Sequence, residues 1–321
     1  CWQVLKKKGE QRMKIAVIGA GAMGSLYGSR LSRGNQVIMI DSSDRVVQRI
    51  QELGITVREN DGQEKTYKEN ITAFRSEEYS DKPDLVIMFV KSTYLSDALE
   101  QNKQLFNDNT VVLSLQNGAG NDRKIARYVK KENIIIGTSK HNAVSEGCGI
   151  VKHTGKGITT IGSNHDSGHI LEKTAALLEK CGIETTVSDD IQRIIWSKLF
   201  VNLSVNTFTA ITQTPIGYMV KNKYAWNFAK RLIYEAVEVA EEDGTYFDRR
   251  EVLESVRKVC VDLENGYSSM YQDRKRKLRT EIDAINGAVV EQAKIYGVPV
   301  PYNSLIVDLI HAIEGAYDYY E

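Results

Sequence analysis

The sequence predicts a doubly wound parallel α/β domain followed by an all-helical domain. In the first half, short Val- and Ile-rich runs alternate with helical patterns, as repeated strand–helix units require. After about residue 188 nearly every segment reads as helix. A third feature says what the first domain holds. The apolar run Lys14–Ile18 ends in Gly19-Ala20-Gly21-Ala22-Met23-Gly24, and a helical pattern follows. In this Rossmann arrangement Gly19 permits the turn, Gly21 lets the backbone approach a pyrophosphate, and Gly24 lets helix and strand pack closely. Ala22 and Met23 fall at the helix N-terminus, where free N–H groups and the helix dipole favour an anion. A second strand, Gln36–Ile40, ends in Asp41, 22 positions beyond Gly19, where a ribose-binding carboxylate is expected.

The elements follow in order. Expected strands are Lys14–Ile18, Gln36–Ile40, Asp84–Val90, Thr110–Leu115 and Asn133–Gly137, with helices over 22–33, 43–53, 92–105 and 120–131. The segment 54–75, with Asn60-Asp61-Gly62 as its turn, reads as an inserted hairpin. The glycine-rich stretch 141–163 reads as an antiparallel edge addition. Helices are then expected over 189–211, 222–243, 248–263, 270–296 and 302–317. This places a dinucleotide-binding domain at 13–187 and a helical substrate domain at 188–321, with substrate expected in a cleft between domains. Residues 1–12 read as an extension ahead of Met13, poorly ordered and outside the fold.

Composition excludes several classes. Of 321 residues, 42 are basic and 42 acidic, so nothing points to nucleic acid or a membrane surface. Cys1, Cys148, Cys181 and Cys260 are scattered, as in a reduced cytosolic protein rather than a disulfide framework or a metal site. No apolar run reads as long enough to cross a bilayer, and the first residues lack the apolar core of a signal peptide.

The chemistry is expected in the helical domain. Lys198, Asn202 and Asn206 recur at i, i+4 and i+8 and share one helix face among apolar neighbours. A buried lysine with two amides is costly unless partnered, which favours a site over a solvated stripe. Ser268-Ser269-Met270, Gln272-Asp273 and the run Arg274–Arg279 precede Thr280-Glu281-Ile282-Asp283 and Ile285-Asn286-Gly287. Periodicity alone leaves these charges as ordinary surface. Lys91 and Asn117-Gly118 follow two strands at their carboxyl ends, where doubly wound sheets bind ligands, though Asn117-Gly118 equally reads as a plain turn. His141 and His153 read as structural. Tyr302 and the tail Tyr317-Asp318-Tyr319-Tyr320 suit either a homodimer contact or packing on their own domain.

Taken together these motifs resemble the ketopantoate reductase (2-dehydropantoate 2-reductase) family over about residues 13–316. The resemblance implies a Rossmann domain joined to a helical domain of the 6-phosphogluconate-dehydrogenase type. It implies Lys198 as general acid and Glu281 as its partner carboxylate. Asn202, Asn206 and Ser269 would anchor substrate, and Asn117 would lie between cofactor and substrate. Hydride addition to a ketone leaves a developing alkoxide that a lysine ammonium can stabilise and protonate, so no metal is needed. One departure bears on the cofactor. Family members using NADPH place a basic residue after the second strand, whereas this chain has Asp41-Ser42-Ser43-Asp44. A carboxylate there accepts from ribose hydroxyls and repels a 2′-phosphate, favouring NAD(H) over NADP(H); the competing reading is that Asp41 caps the next helix. An NAD-preferring member also fits a D-2-hydroxyacid dehydrogenase for branched or aromatic acids such as D-mandelate. A non-catalytic dinucleotide sensor is the alternative of another class.

Overall fold

The computed structural model describes residues 12–317. They form two compact units, residues 12–116 with Asn121–Ile191, and Asn117–Gly120 with residues 192–317.

The first unit contains twelve strands among the described residues: β1 (Lys14–Ile18), β2 (Gln36–Ile40), β3 (Ile55–Glu59), β4 (Glu64–Tyr67), β5 (Ile71–Phe74), β6 (Leu85–Met88), β7 (Val111–Ser114), β8 (Ile134–Ser139), β9 (Asn142–Gly147), β10 (Ile150–Gly155), β11 (Thr159–Gly162) and β12 (Thr185–Val187). Its helices are α1 (Ala22–Leu31), α2 (Asp44–Leu53), α3 (Leu95–Gln101), α4 (Asn121–Ile125) and α5 (Gly168–Lys180). The main sheet runs β12-β11-β8-β7-β6-β1-β2-β5. Its six strands from β5 to β8 are parallel, in the doubly wound order that reverses direction at β1. Ile15, Val17, Val37 and Ile87 are fully buried, as a sheet covered on both faces demands.

Several expectations are corrected by these elements. The hairpin around Asn60-Asp61-Gly62 ends at β4; β5 leaves it and pairs in parallel with β2, burying Ile71 and Ala73. The stretch 141–163 is not one edge addition. Only β11 extends the main sheet antiparallel to β8, while β9 and β10 join β3 and β4 in a second sheet. Helix α5 was not anticipated. The expected helices over 92–105 and 120–131 are also shorter, reduced to α3 and α4 with flanking 3₁₀ turns and loops. Arg12, expected to be loose, donates to Asn70 Oδ1 at 2.7 Å; residues 1–11 and Asp318-Tyr319-Tyr320 lie outside the described residues.

The second sheet is tied to α1 by a buried polar chain. Arg30 pairs with Glu59 at 3.1 Å. His153 Nδ1 donates to Glu59 Oε2 at 2.7 Å, and His153 Nε2 lies 3.0 Å from His141 Nδ1. Buried His141 Nε2 has no partner among the described residues. The expected structural role of both histidines thus has a concrete form.

The second unit contains α6 (Ile191–Val201), a π turn (Asn202–Asn206), α7 (Thr207–Thr212), α8 (Tyr218–Lys221), α9 (Lys223–Glu242), α10 (Arg249–Asp262), α11 (Ser269–Lys275), α12 (Asn286–Tyr296) and α13 (Pro301–Gly315). Trp196, Leu199, Phe200 and Leu203 form its core with Ile233, Val237, Val289 and Ile310. The α6–π–α7 helix, Ile191–Thr212, spans 22 residues with mean hydropathy 1.2 and is half buried within the fold. It is therefore long and apolar enough to cross a membrane by length and composition, contrary to the sequence expectation, but a core helix meets the same test. The single helix expected over 270–296 is broken. α11 stops at Lys275, Lys277 takes a left-handed φ of 54°, and Leu278 N–H returns to Asp273 O at 2.9 Å. Only a 3₁₀ turn, Ile282–Ala284, intervenes before α12. Tyr302 lies 44% exposed beneath the Arg231 guanidinium, 5.4 Å from its ring centroid.

The histidine chain predicts an acid-sensitive first unit. Burial first, then the charges of His153 and Arg30, push His141 down from 6.5 to about 4. Its stability contribution is therefore complete above pH 6.5. It is lost as pH falls from 6.5 towards 4, where the unfolded chain takes up a proton that the folded one refuses. The full loss is about 3 kcal/mol. Thermal unfolding between pH 7 and pH 4 should fall more steeply for the parent than for His141→Asn; parallel curves would remove the assignment.

Candidate active site

The glycine loop is shaped by close approaches. Gly19 has φ +100°, and a Cβ there would lie 2.6 Å from Val90 N. A Cβ on Gly24 would meet Gly19 O at 1.9 Å, so the helix starts directly against the turn. Gly28 continues this packing, since its Cβ would meet Met39 Sδ at 2.5 Å; the sequence reading overlooked it. Gly21 differs: nothing lies within 4 Å of its would-be Cβ. It is exposed and caps α1 in extended geometry. The first turn of α1 leaves the N–H groups of Ala22, Met23 and Gly24 without intrahelical partners, next to this open position. These residues fit the pyrophosphate of a dinucleotide.

Asp41 is bound into this loop. Its Oδ2 accepts from Ala20 N–H at 2.8 Å and its Oδ1 from Ser43 N–H at 3.0 Å. The N-cap of α2 is Ser43, so the reading of Asp41 as a helix cap does not hold. Each carboxylate oxygen keeps a second lone pair for a ribose hydroxyl. Lys91 lies half-buried beyond the carboxyl end of β6, at the start of a 3₁₀ turn. Gly19, Asp41 and Lys91 thus follow the neighbouring strands β1, β2 and β6, at the switch point of the sheet.

The second constellation lies in the helical unit. Asn117–Gly120 interrupt the first unit in sequence but pack with the second. Asn117 Nδ2 donates to Glu281 Oε2 at 2.9 Å. Gly118, at φ +95°, makes this possible: its Cβ would sit 2.1 Å from Ala284 O. The Asn117-Gly118 step is therefore both a tight turn and part of the constellation. Glu281 lies in the break between α11 and α12 rather than on a helix. Its charge acts on Lys198 across the unit. Burial pushes the Lys198 ammonium below the ordinary lysine value, and Glu281 opposes that shift.

Lys198, Asn202 and Asn206 do not lie on one regular α-helix. In an α-helix each step of four overshoots a full turn by about 40°. The π turn, closed by longer i→i+5 bonds, offsets that drift, and Asn206 Nδ2 donates to Asn202 Oδ1 at 3.1 Å. Ser269 is exposed on the first turn of α11. Its buried neighbour Ser268, which the sequence reading left without a role, holds that helix: its Oγ accepts from Tyr271 N–H at 3.1 Å and lies 2.7 Å from Thr209 Oγ1. The S-x-x spacing ahead of a helix was the available signal. Lys198, Glu281, Asn117, Asn202, Asn206 and Ser269 all belong to the helical unit, where Glu281 links Asn117 with Lys198 and Asn206 bonds Asn202. Gly19, Gly21, Ala22, Met23, Gly24, Asp41 and Lys91 belong to the first unit.

Known proteins resemble the chain over both units. The family model described as ketopantoate reductase PanE/ApbA matches residues 15–166, and its C-terminal counterpart matches residues 190–314. The chain is 35% identical over 309 residues to a 2-dehydropantoate 2-reductase of Lactococcus lactis, covering 94% of this chain and 98% of that protein. It is 32% identical over 301 residues to one from Halobacterium salinarum, covering 93% and 98%. Among solved structures it is similar to D-mandelate dehydrogenase with NADH and anilino(oxo)acetate, with TM-score 0.87 and 35% identity over 95% of this chain and 99% of that one.

The open position at Gly21 separates binding from folding. Gly21→Val should leave the unfolding temperature within a degree or two and weaken NADH binding at least about tenfold, because only the ligand's approach is filled. Gly24→Val should lower the unfolding temperature as well, through its contact with Gly19 O. Calorimetry with NADH titration distinguishes them; equal NADH affinity in Gly21→Val would remove the pyrophosphate assignment.

Proposed function

The chain belongs to the ketopantoate reductase family, and on that premise we propose that it interconverts a 2-oxo acid and a D-2-hydroxy acid, reducing ketopantoate to D-pantoate. The carrying observation is the half-buried Lys198, whose desolvated ammonium lies in the field of Glu281, a carboxylate itself held by Asn117. A bound nicotinamide supplies the hydride to the ketone carbon. Lys198 then stabilises the charge developing on the ketone oxygen and donates its proton there. Glu281 keeps the lysine charged and aimed. Asn202, Asn206 and Ser269 hold the substrate carboxylate through amide and hydroxyl donors, and Asn117 orders the side of the site nearest the cofactor. For the cofactor we favour NAD(H), bound by Gly19, Gly21, Ala22, Met23, Gly24, Asp41 and Lys91. The support is Asp41, whose charge opposes a 2′-phosphate. That same residue, with the NADH-bound D-mandelate dehydrogenase among the structural relatives, favours a second substrate reading: a D-2-hydroxyacid dehydrogenase for branched or aromatic acids.

Oxidation of NADH and NADPH with ketopantoate, benzoylformate and 2-ketoisocaproate, run in parallel, decides the substrate class; no turnover with any of them defeats both readings. Lys198→Ala should lower kcat by about 10²–10⁴. Reduction needs the protonated lysine, so its rate should fail at high pH, and oxidation of the hydroxy acid should rise there. Because Glu281 raises the lysine pKa, Glu281→Gln should move both limbs to lower pH, and an unmoved limb would exclude the pairing. Asp41→Asn should improve NADPH relative to NADH while weakening NADH binding itself, since Asp41 also anchors Ala20.

A further inference from the structure

We infer that Asn286 is a positioning residue, whose buried side chain holds the π turn that carries Asn202 and Asn206; the inference rests on the oxoacid reading above. A π turn inside a helix displaces backbone partners, and such turns persist where something else satisfies the freed groups. In a regular helix Leu203 O would accept from Thr207 N–H. Here Thr207 N–H goes to Ser204 O instead. Asn286 Nδ2 donates to Leu203 O at 3.1 Å, while Thr207 Oγ1 donates to Asn286 Oδ1 at 2.8 Å. The asparagine thus bonds both sides of the displaced step.

Asn286 is itself held. It donates to Asn303 Oδ1 at 3.0 Å, and Asn303 Nδ2 donates to Glu235 Oε2 at 2.8 Å. Glu235 also accepts the N–H groups of Tyr302 and Asn303 at the start of α13. Asn286, Asn303 and Thr207 have no exposed surface. None of them carries the reaction, yet their bonds end on the backbone between the two substrate-anchoring asparagines. A buried network is rigid when every member is satisfied and costly when one is missing. Asn286 also opens α12, directly after the segment bearing Glu281. One residue therefore ties the amide pair to the element that follows the carboxylate.

The test is a split of kinetic constants. Asn286→Ala should raise KM for the 2-oxo acid about ten- to a hundredfold, since a small misplacement of anchoring groups costs that much. Affinity for NADH should stay within about twofold, because the glycine loop is untouched, and the alkaline limb set by Lys198 and Glu281 should not move. Thr207→Val removes one bond of the same network, guards against an unfolded Asn286→Ala, and should change KM in the same direction by less. Thr207→Ser should restore it. A lower yield of active enzyme with unchanged oxoacid KM in both variants would make Asn286 merely structural and overturn the inference. Peptide-resolved hydrogen exchange over residues 199–210 needs no turnover: it should quicken in Asn286→Ala, and unchanged exchange also overturns the inference. A parent enzyme that turns over no 2-oxo acid but shows quickened exchange in the variant defeats the functional reading alone.

Discussion

The helical unit is organised around the burial of one ammonium. Lys198 sits on the helix that supplies the core, between fully buried Trp196 and Leu199. A lone charge there would be disfavoured, since desolvation of an ion costs several kcal/mol. Glu281 offsets that cost, but only from a particular place. A continuous helix over 270–296 would fix this carboxylate by helical phase; the break after Lys275 frees it from that constraint. Asn117 then binds one carboxylate oxygen, and Gly118 is the only residue type that lets the chain pass Ala284 O closely enough for it to do so. The charge pair, the broken helix and the four-residue excursion from the first unit are one solution to one desolvation problem.

The two units differ in how legible they were. The bounds of β1 and β2 and the glycine loop could be read directly, because strand period, turn glycines and helix start are all local signals. Lys198, Asn202 and Asn206 were legible from their spacing. The π turn between them was not: it conserves the i+4 pattern, and its support comes from Asn286, some eighty positions away in sequence. The break after Lys275 was equally hidden. No Gly or Pro occurs between Met270 and Asn286, and the left-handed turn falls on a lysine. Burial of Thr280 and Ile282 overrides a helical pattern there. In the first unit, β10 pairing in parallel with β3 joins segments almost a hundred residues apart, which no local turn announces. Glu281 entered only through the resemblance to a family; spacing alone left it as surface.

Asp41 is a case where one residue answers two demands. Read from sequence, it is either a cofactor selector or a helix cap. Its contacts define a third role, a brace between the end of β2 and Ala20 in the glycine loop. Backbone N–H groups hold its carboxylate in place before any ligand arrives, and this preorganisation lowers the cost of binding. It also means that changing the charge at this position loosens the loop. On the proposed NAD(H) reading, cofactor preference and loop geometry are not independently adjustable, because a single carboxylate would carry both.

The same economy governs the helix Ile191–Thr212. Its apolar face builds the core and its polar face carries Lys198, Asn202 and Asn206, so its rotation about its own axis is set by packing. Trp196, Leu199, Phe200 and Leu203 lock that rotation by burial, which leaves the amides wherever the helical period puts them. A regular period would carry Asn206 progressively away from Lys198. The π turn alters that phase locally without disturbing the packed residues before it, and the backbone polar group it displaces is met by a side chain from α12. Core packing and chemical aim can thus be satisfied by one helix only if its hydrogen-bond ladder is interrupted between them, and the buried network behind Leu203 stabilises that interruption.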